Sequence, residues 1–360
     1  MTAPDTDRLK ELLRSIEDPH TGRPLNDAVR GLAVHDDRVA VDIRLDYPAA
    51  GWRDRLVELV SGRLRAVDDV GAVTVNIDWQ IPQHAVQGGL DPLDGVRNII
   101  AVASGKGGVG KSTVSVNIAL ALMAEGASVG VLDADIYGPS IPRMLGLSGK
   151  PETTDDRRIL PMRAHGLQAM SIGVLVEADQ AMIWRGPMAT QALQQIVSET
   201  KWEGLDYLIV DLPPGTGDIQ LTLAQRIPVA GALCVTTPQD VAVDDVRRAA
   251  AMFNKVRVPV LGVVENMSTH VCTNCGHEEA VFGTGGGERI AAETGVPLLG
   301  QLPLHSDIGR STDEGRPIVV ADPEHPAAMR FREIARAVAG RLSTQSRETK
   351  VRMPKINIVD

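Results

Sequence analysis

The nine residues "GKGGVGKST", Gly105 to Thr113, hold four glycines and two lysines. They satisfy the spacing GxxxxGK[ST], follow the apolar run "NIIAVAS" and precede a helical pattern through Val114, Ile118 and Leu122. Glycines there let backbone N–H groups turn inward around phosphate oxygens. Lys111 can neutralise the outer phosphates, and Ser112 can offer its hydroxyl to Mg2+. The bland alternative is a glycine-rich turn with no ligand. Carboxylates stand where a nucleotide hydrolase needs them. Asp211 ends "YLIVDLP", a strand-end place for holding magnesium through water. Asp133 and Asp135 follow "SVGVL", where one of the two can orient an attacking water. The glycines of "PPGTGD" can let a loop respond to a γ-phosphate.

A second station is "STHVCTNCGHEEAVFGTGGGE", with Cys272 and Cys275 two residues apart after a strand-like run. Three chemistries compete. Two protomers can each give a pair, completing the four thiolates of a bridging [4Fe-4S] cluster. His270 and His277 can join the cysteines around zinc, although zinc pairs usually come from separate segments. The pair can also be a dithiol switch, which favours a helix start after the motif that is missing here. Cys234, within "GALCVTT", reads as a buried strand thiol.

These residues need elements to position them. From Asn98 onward, short aliphatic runs ("NIIAVAS", "SVGVLDAD", "YLIVDLPP", "AGALCVTTP", "VPVLGVVENM", "VPLLGQLP") alternate with helical patterns. That is the signature of an α/β fold whose mostly parallel sheet is covered by helices on both faces. Before it, "DRLKELLRSIEDP" has helical spacing at Leu9, Leu12, Leu13 and Ile16. "GLAVHDDRVAVDIRL" alternates about a turn, "WRDRLVELVSGRLRAV" is helical and "GAVTVNIDW" is a strand. The expected organisation is a small α+β domain at 1–86, a polar connector at 87–97 and the nucleotide domain at 98–360.

Composition narrows the function classes. The 360 residues carry a net charge of −9, which works against a polyanionic partner. No apolar run approaches the ~20 residues that span a bilayer, and the first residues lack a signal-peptide core. The expected location is the cytoplasm. Guanine recognition would require NKxD, yet "FNKVRV" lacks the aspartate, which favours ATP.

"SGKGGVGKST", "DADIYGPS" and "DLPPGTGD" together resemble the deviant phosphate-loop ATPases, whose mark is the early lysine, here Lys106. The resemblance implies a homodimer in which Lys106 reaches the partner's nucleotide, as an arginine finger supplied in trans does. It further implies Asp135 as the water-orienting acid, Asp133 and Asp211 around magnesium, and Asn266 of "VVENMS" against adenine. The catalytic candidates are thus Lys106, Lys111 and Asp135. The nucleotide-binding candidates are Gly105, Lys106, Gly107, Gly108, Val109, Gly110, Lys111, Ser112, Thr113, Asp133, Asp211 and Asn266. Adding "IWRGPM", "ENMS" and "CTNCGHEEAVFGTGGGE", residues 97 to 340 are similar to the Mrp/ApbC iron-sulfur cluster carriers. That family implies slow ATP hydrolysis, a labile [4Fe-4S] cluster on Cys272 and Cys275 of two protomers, and delivery to apo-proteins, with assembly factors as partners.

The N-terminal unit, through "SIEDPHTGRPL", resembles the small domain of iron-sulfur assembly factors. It has Ala49, Ala50 and Gly51 where that domain often has a cysteine, so docking is expected of it rather than sulfur chemistry. The rival function is a partition or positioning ATPase that binds DNA or membrane. It requires a basic face, for which Arg330, Arg332, Arg336 and Arg341 are available; the bland reading of these four is a solvated helix face.

Overall fold

A computed structural model describes residues 4–175, 186–272 and 274–347. The first three residues of "IWRGPM" and the tail "KVRMPKINIVD" lie outside them. Helix α1 (Thr6–Ser15) starts on Asp5, whose carboxylate accepts the Asp7 N–H at 2.9 Å, and it buries Leu9 and Leu13. Strands β1 (Val29–His35) and β2 (Arg38–Leu45) form the expected hairpin, helix α2 (Arg53–Arg65) follows, and β3 (Ala72–Trp79) pairs with β2 in parallel. Val39, Val41, Ile43 and Leu45 alternate onto the buried face of β2.

The large sheet has eight strands. They are β4 (Val96–Ala103), β5 (Val129–Asp133), β6 (Met162–Ala164), β7 (Leu167–Ser171), β8 (Leu205–Asp211), β9 (Gly231–Thr236), β10 (Val260–Glu265) and, after the cysteine loop, a last strand at Leu298–Gln301. Their order is Leu298–Gln301, β10, β9, β4, β8, β5, β7, β6, and every pairing is parallel except the antiparallel edge β6. The sequence pattern did not mark β6 and β7: one has three residues, and the other carries Gln168 and Ser171. Helices cover both faces and give two apolar clusters.

Helix α3 (Lys111–Ala124) is buried on almost every side. An all-round apolar helix must be covered all round, and its cover is the sheet, the last long helix (Pro326–Ser343) and the N-terminal domain. At its C-terminus Glu125 is fully buried. Gly51 N–H donates to its Oε2 at 2.8 Å, while Arg332 Nε and Arg336 Nη1 each donate to Oε1 at 2.8 Å. This corrects the solvated-face reading for two of the four arginines: Arg336 is buried and Arg332 half-buried, both held by one carboxylate, while Arg330 is exposed as expected and Arg341 half-buried. The segment Ala49–Gly51 is consumed by the same contact. A Cβ on Gly51 would lie 2.5 Å from Arg332 Nη2 and 2.8 Å from Glu125 Oε1.

Candidate functional site

Parallel strands bring their carboxyl ends, and the loops after them, to one edge of the sheet. Strand β8 lies between β4 and β5, with Asp211 opposite Val102 on one side and Asp133 on the other. The phosphate loop leaves β4 at that edge. Gly108 and Gly110 have φ of +82° and +79°, which favours glycine. Gly110 is also pressed by Asn266, whose Nδ2 would be 2.3 Å from an added Cβ. Gly105 passes so close to Asp245 that a Cβ would sit 2.0 Å from that residue's Cβ.

Asp211 is the hub. Lys111 Nζ lies 2.7 Å from its Oδ2, and the Ser112 hydroxyl donates to the same oxygen at 2.5 Å. The Ser115 hydroxyl donates to Oδ1 at 2.6 Å. Lys111 and Asp211 are both buried, so each charge depends on the other for compensation. Ser115 escaped the sequence reading, although it lies one helical turn beyond Lys111 and therefore on the same face of α3. A triphosphate can take Lys111 only by drawing it from Asp211. The carboxylate and the Ser112 hydroxyl left behind are hard oxygen donors already in contact, the donor set that suits Mg2+.

Asp133 is fully buried. Its Oδ1 accepts the Asp135 N–H and its Oδ2 the Ile141 N–H, both at 3.1 Å, and Ser171 Oγ approaches Oδ2 at 3.3 Å. Burial first, and the neighbouring Asp211 second, push its carboxyl up to about 7. Asp135 is half-buried, and burial raises its carboxyl as well. Asp133 thus fixes the backbone of the expected water-orienting acid.

The remaining candidates are dispersed around the loop. Lys106 lies on the rim, its Nζ 3.2 Å from Gln239 Oε1, away from the Asp211 hub. Gly107 and Gly108 are exposed, Val109 is buried, and the Thr113 carbonyl accepts from Asn117 Nδ2 at 2.9 Å. Asn266, next after β10, donates from Nδ2 to the Val109 carbonyl at 2.9 Å, so its amide holds the phosphate loop in this state. Gly215 of "PPGTGD" donates its N–H to Ser104 O at 2.9 Å, linking the two loops.

Six residues beyond Asn266, the cysteines occupy a hairpin tip. Strand β11 (His270–Val271) pairs antiparallel with β12 (Glu278–Glu279). Cys272 N–H donates to His277 O at 2.9 Å, and Gly276 N–H donates to Cys272 O at 2.8 Å. Backbone N–H groups of Asn274 and Cys275, then the Cys275 thiol, point at Cys272 sulfur and hold its thiol below the usual range. Cys275 is exposed. Among the described residues, the one group with three potential ligand atoms within 4.8 Å of one another is His305, Asp307 and His325. Among the described residues, His270 and His277 are not gathered with the two cysteines into such a group. Cys234 is buried in β9, with its thiol pushed up to about 12 by burial.

Residues 95–339 match the family described as the NUBPL iron-transfer P-loop NTPase. The chain belongs to that family. Residues 6–77 match a second family, described as an iron-sulfur cluster assembly protein. The chain is 46% identical to an iron-sulfur cluster carrier protein of Haemophilus influenzae, over 96% of this chain and 94% of that one. It is 47% identical to the mouse iron-sulfur cluster transfer protein NUBPL, over 70% of this chain and 80% of that one. Among solved structures, a nucleotide-binding protein of Archaeoglobus fulgidus in complex with ADP superposes with a TM-score of 0.58. It is 37% identical and covers 66% of this chain and 93% of that one. The Pyrococcus furiosus cell-division ATPase MinD, at 22% identity and a TM-score of 0.52, covering 67% of this chain and 98% of that one, shares the fold.

Proposed function

We propose that the protein is an ATP-dependent iron-sulfur cluster carrier. It binds and slowly hydrolyses ATP, holds a labile [4Fe-4S] cluster between the Cys272 and Cys275 pairs of two protomers, and passes that cluster to apo iron-sulfur proteins in the cytoplasm. The observation that carries the reading is the link between stations. Asn266 holds the phosphate loop through Val109 O and stands six residues before Cys272, so a shift of the loop reaches the cysteine hairpin along one short segment.

In this mechanism the γ-phosphate draws Lys111 off Asp211. Ser112 and Asp211 would hold Mg2+, which would neutralise charge on the phosphates. Asp135, held by Asp133, orients the water, and Lys106 leaves Gln239 for the partner's nucleotide. Hydrolysis reverses the exchange and changes the interface that carries the cysteines. We assign 1–86 and 98–360 as domains with 87–97 between them, of which Val96 and Arg97 already belong to β4. That connector is pinned rather than loose: Gln87 donates to Ala224 O at 2.6 Å and accepts the Val229 N–H at 2.9 Å. The positioning-switch rival is weakened, because two of its four arginines, Arg332 and Arg336, are committed to Glu125.

Anaerobic reconstitution with iron and sulfide tests the reading. About four sulfides per dimer and a [4Fe-4S] spectrum are expected, both lost in Cys272→Ala and in Cys275→Ala. Lys111→Ala should load normally and fail to transfer. No stable [4Fe-4S] spectrum, or a cluster that survives either cysteine substitution, would overturn the carrier assignment, and equal transfer by Lys111→Ala would overturn the coupling.

A further inference from the structure

The segment that anchors the cysteine hairpin leads directly into a second set of metal-type ligands. Ser268 N–H donates to Leu302 O at 2.9 Å, Leu304 N–H to Thr269 O at 2.6 Å, and Val271 N–H to Leu304 O at 3.3 Å. The next residue is His305. The helix Ser306–Asp313 follows it and carries Asp307 in its first turn. His325 precedes the long helix Pro326–Ser343. The two imidazoles meet edge to face with centroids 4.9 Å apart, and Asp307 Oδ2 lies 3.7 Å from both His305 Nδ1 and His325 Nε2. Arg310 occupies the other oxygen of Asp307, donating to Oδ1 at 2.8 Å. A cavity of about 280 Å3 gives access, lined by Thr269, Val271 and Glu278 of the hairpin and by His305, His325 and Arg330.

We propose that His305, Asp307 and His325 form a binding site for a divalent transition-metal ion at the base of the cysteine hairpin. Two imidazoles and one carboxylate are a donor set for Fe2+, Co2+ or Zn2+. All three ligand atoms lie within 4.8 Å of one another, and bonds of ~2.1 Å would draw them only modestly closer.

The site is built to exchange one use of the histidines for another. Here each imidazole is a helix cap: His305 Nδ1 accepts the Asp307 N–H at 3.2 Å, and His325 Nδ1 accepts the Ala327 N–H at 3.1 Å. Accepting at Nδ1 leaves the proton of a neutral ring on Nε2. A cation at His305 Nδ1 replaces the Asp307 N–H at that lone pair. A cation at His325 Nε2 displaces its proton to Nδ1, where it faces the Ala327 N–H. Metal and caps therefore compete, and occupancy frees the first turns of both helices beside the hairpin.

The test uses the full chain carrying Cys272→Ala and Cys275→Ala, so that the hairpin thiols bind nothing and the outcome is independent of the cluster assignment. Titration with Co2+ should give d–d absorption saturating at one ion per chain, displaced by Zn2+. Adding His305→Asn and His325→Asn, which keep a cap acceptor and remove both imidazoles, should weaken binding at least tenfold with an unchanged circular dichroism spectrum. Hydrogen exchange at the Asp307 and Ala327 amides should speed up on Co2+ binding. No saturable Co2+ binding, binding unaffected by the asparagines, or unchanged exchange at those amides would overturn the proposal.

Discussion

Asp133→Asn should reverse the order of stability of variant and parent between pH 4 and pH 8 in the nucleotide-free protein. In the fold this carboxyl is pushed from 3.8 to about 7, chiefly by burial and then by Asp211. A carboxyl raised in the native state is one that the native state keeps protonated while the unfolded chain releases its proton. Stability from this group is therefore full below pH 4 and falls as pH rises towards 7, by about 1.4 kcal/mol for each pH unit. Across that window the loss comes to about 4 kcal/mol, and above pH 7 it stays lost. Asparagine does not titrate, so the variant escapes this loss. Its own cost is a hydrogen bond: one amide oxygen cannot serve both the Asp135 and Ile141 N–H groups, at about 1–3 kcal/mol. The variant should be the less stable protein at pH 4 and the more stable one at pH 8. Urea unfolding of both, without nucleotide or metal, at intervals from pH 4 to pH 8, gives the difference directly. Parallel pH profiles would refute the argument, because they would mean that Asp133 is already ionised in the native state at pH 4 or that burial does not penalise its charge.

Other perturbations follow the same geometry. Glu125→Ala leaves buried Arg336 without its carboxylate and Gly51 N–H without its acceptor, so urea unfolding should show a loss of about 3–5 kcal/mol; a change below about 0.5 kcal/mol would show that Glu125 does not join the domains. Gly51→Ala forces Arg332 aside and should lower stability in the same assay, by less because Arg332 is only half-buried. Lys106→Ala lies outside the Asp211 hub, so ATP affinity by calorimetry should stay within about threefold while turnover falls at least tenfold; matched turnover would remove the lysine from catalysis.

The sequence by itself determined the phosphate loop, because GxxxxGK[ST] between an apolar run and a helical pattern has few other uses. It also determined the alternation of strands and helices, since strands buried on both faces read as continuous aliphatic runs. The cysteine pair was visible, but its surroundings were not. Only the folded hairpin shows that the side chains of His270 and His277 are not gathered with Cys272 and Cys275 into one compact ligand group, because ligand sets depend on which way side chains leave a turn. Tertiary structure alone brought Ser115, Ser171 and Gln239 to the candidate site, through helix face and strand register rather than motif. It decided the fate of the arginines too. Charge spacing along one helix looks the same whether the face meets water or a buried carboxylate, and Glu125, more than 200 residues earlier, supplies that carboxylate to Arg332 and Arg336. The His305, Asp307 and His325 group is likewise a product of folding: two helix starts separated in sequence meet because both lie against the segment that anchors the cysteine hairpin. Local pattern encodes which elements form; contacts between distant elements decide which polar groups are left to bind a ligand.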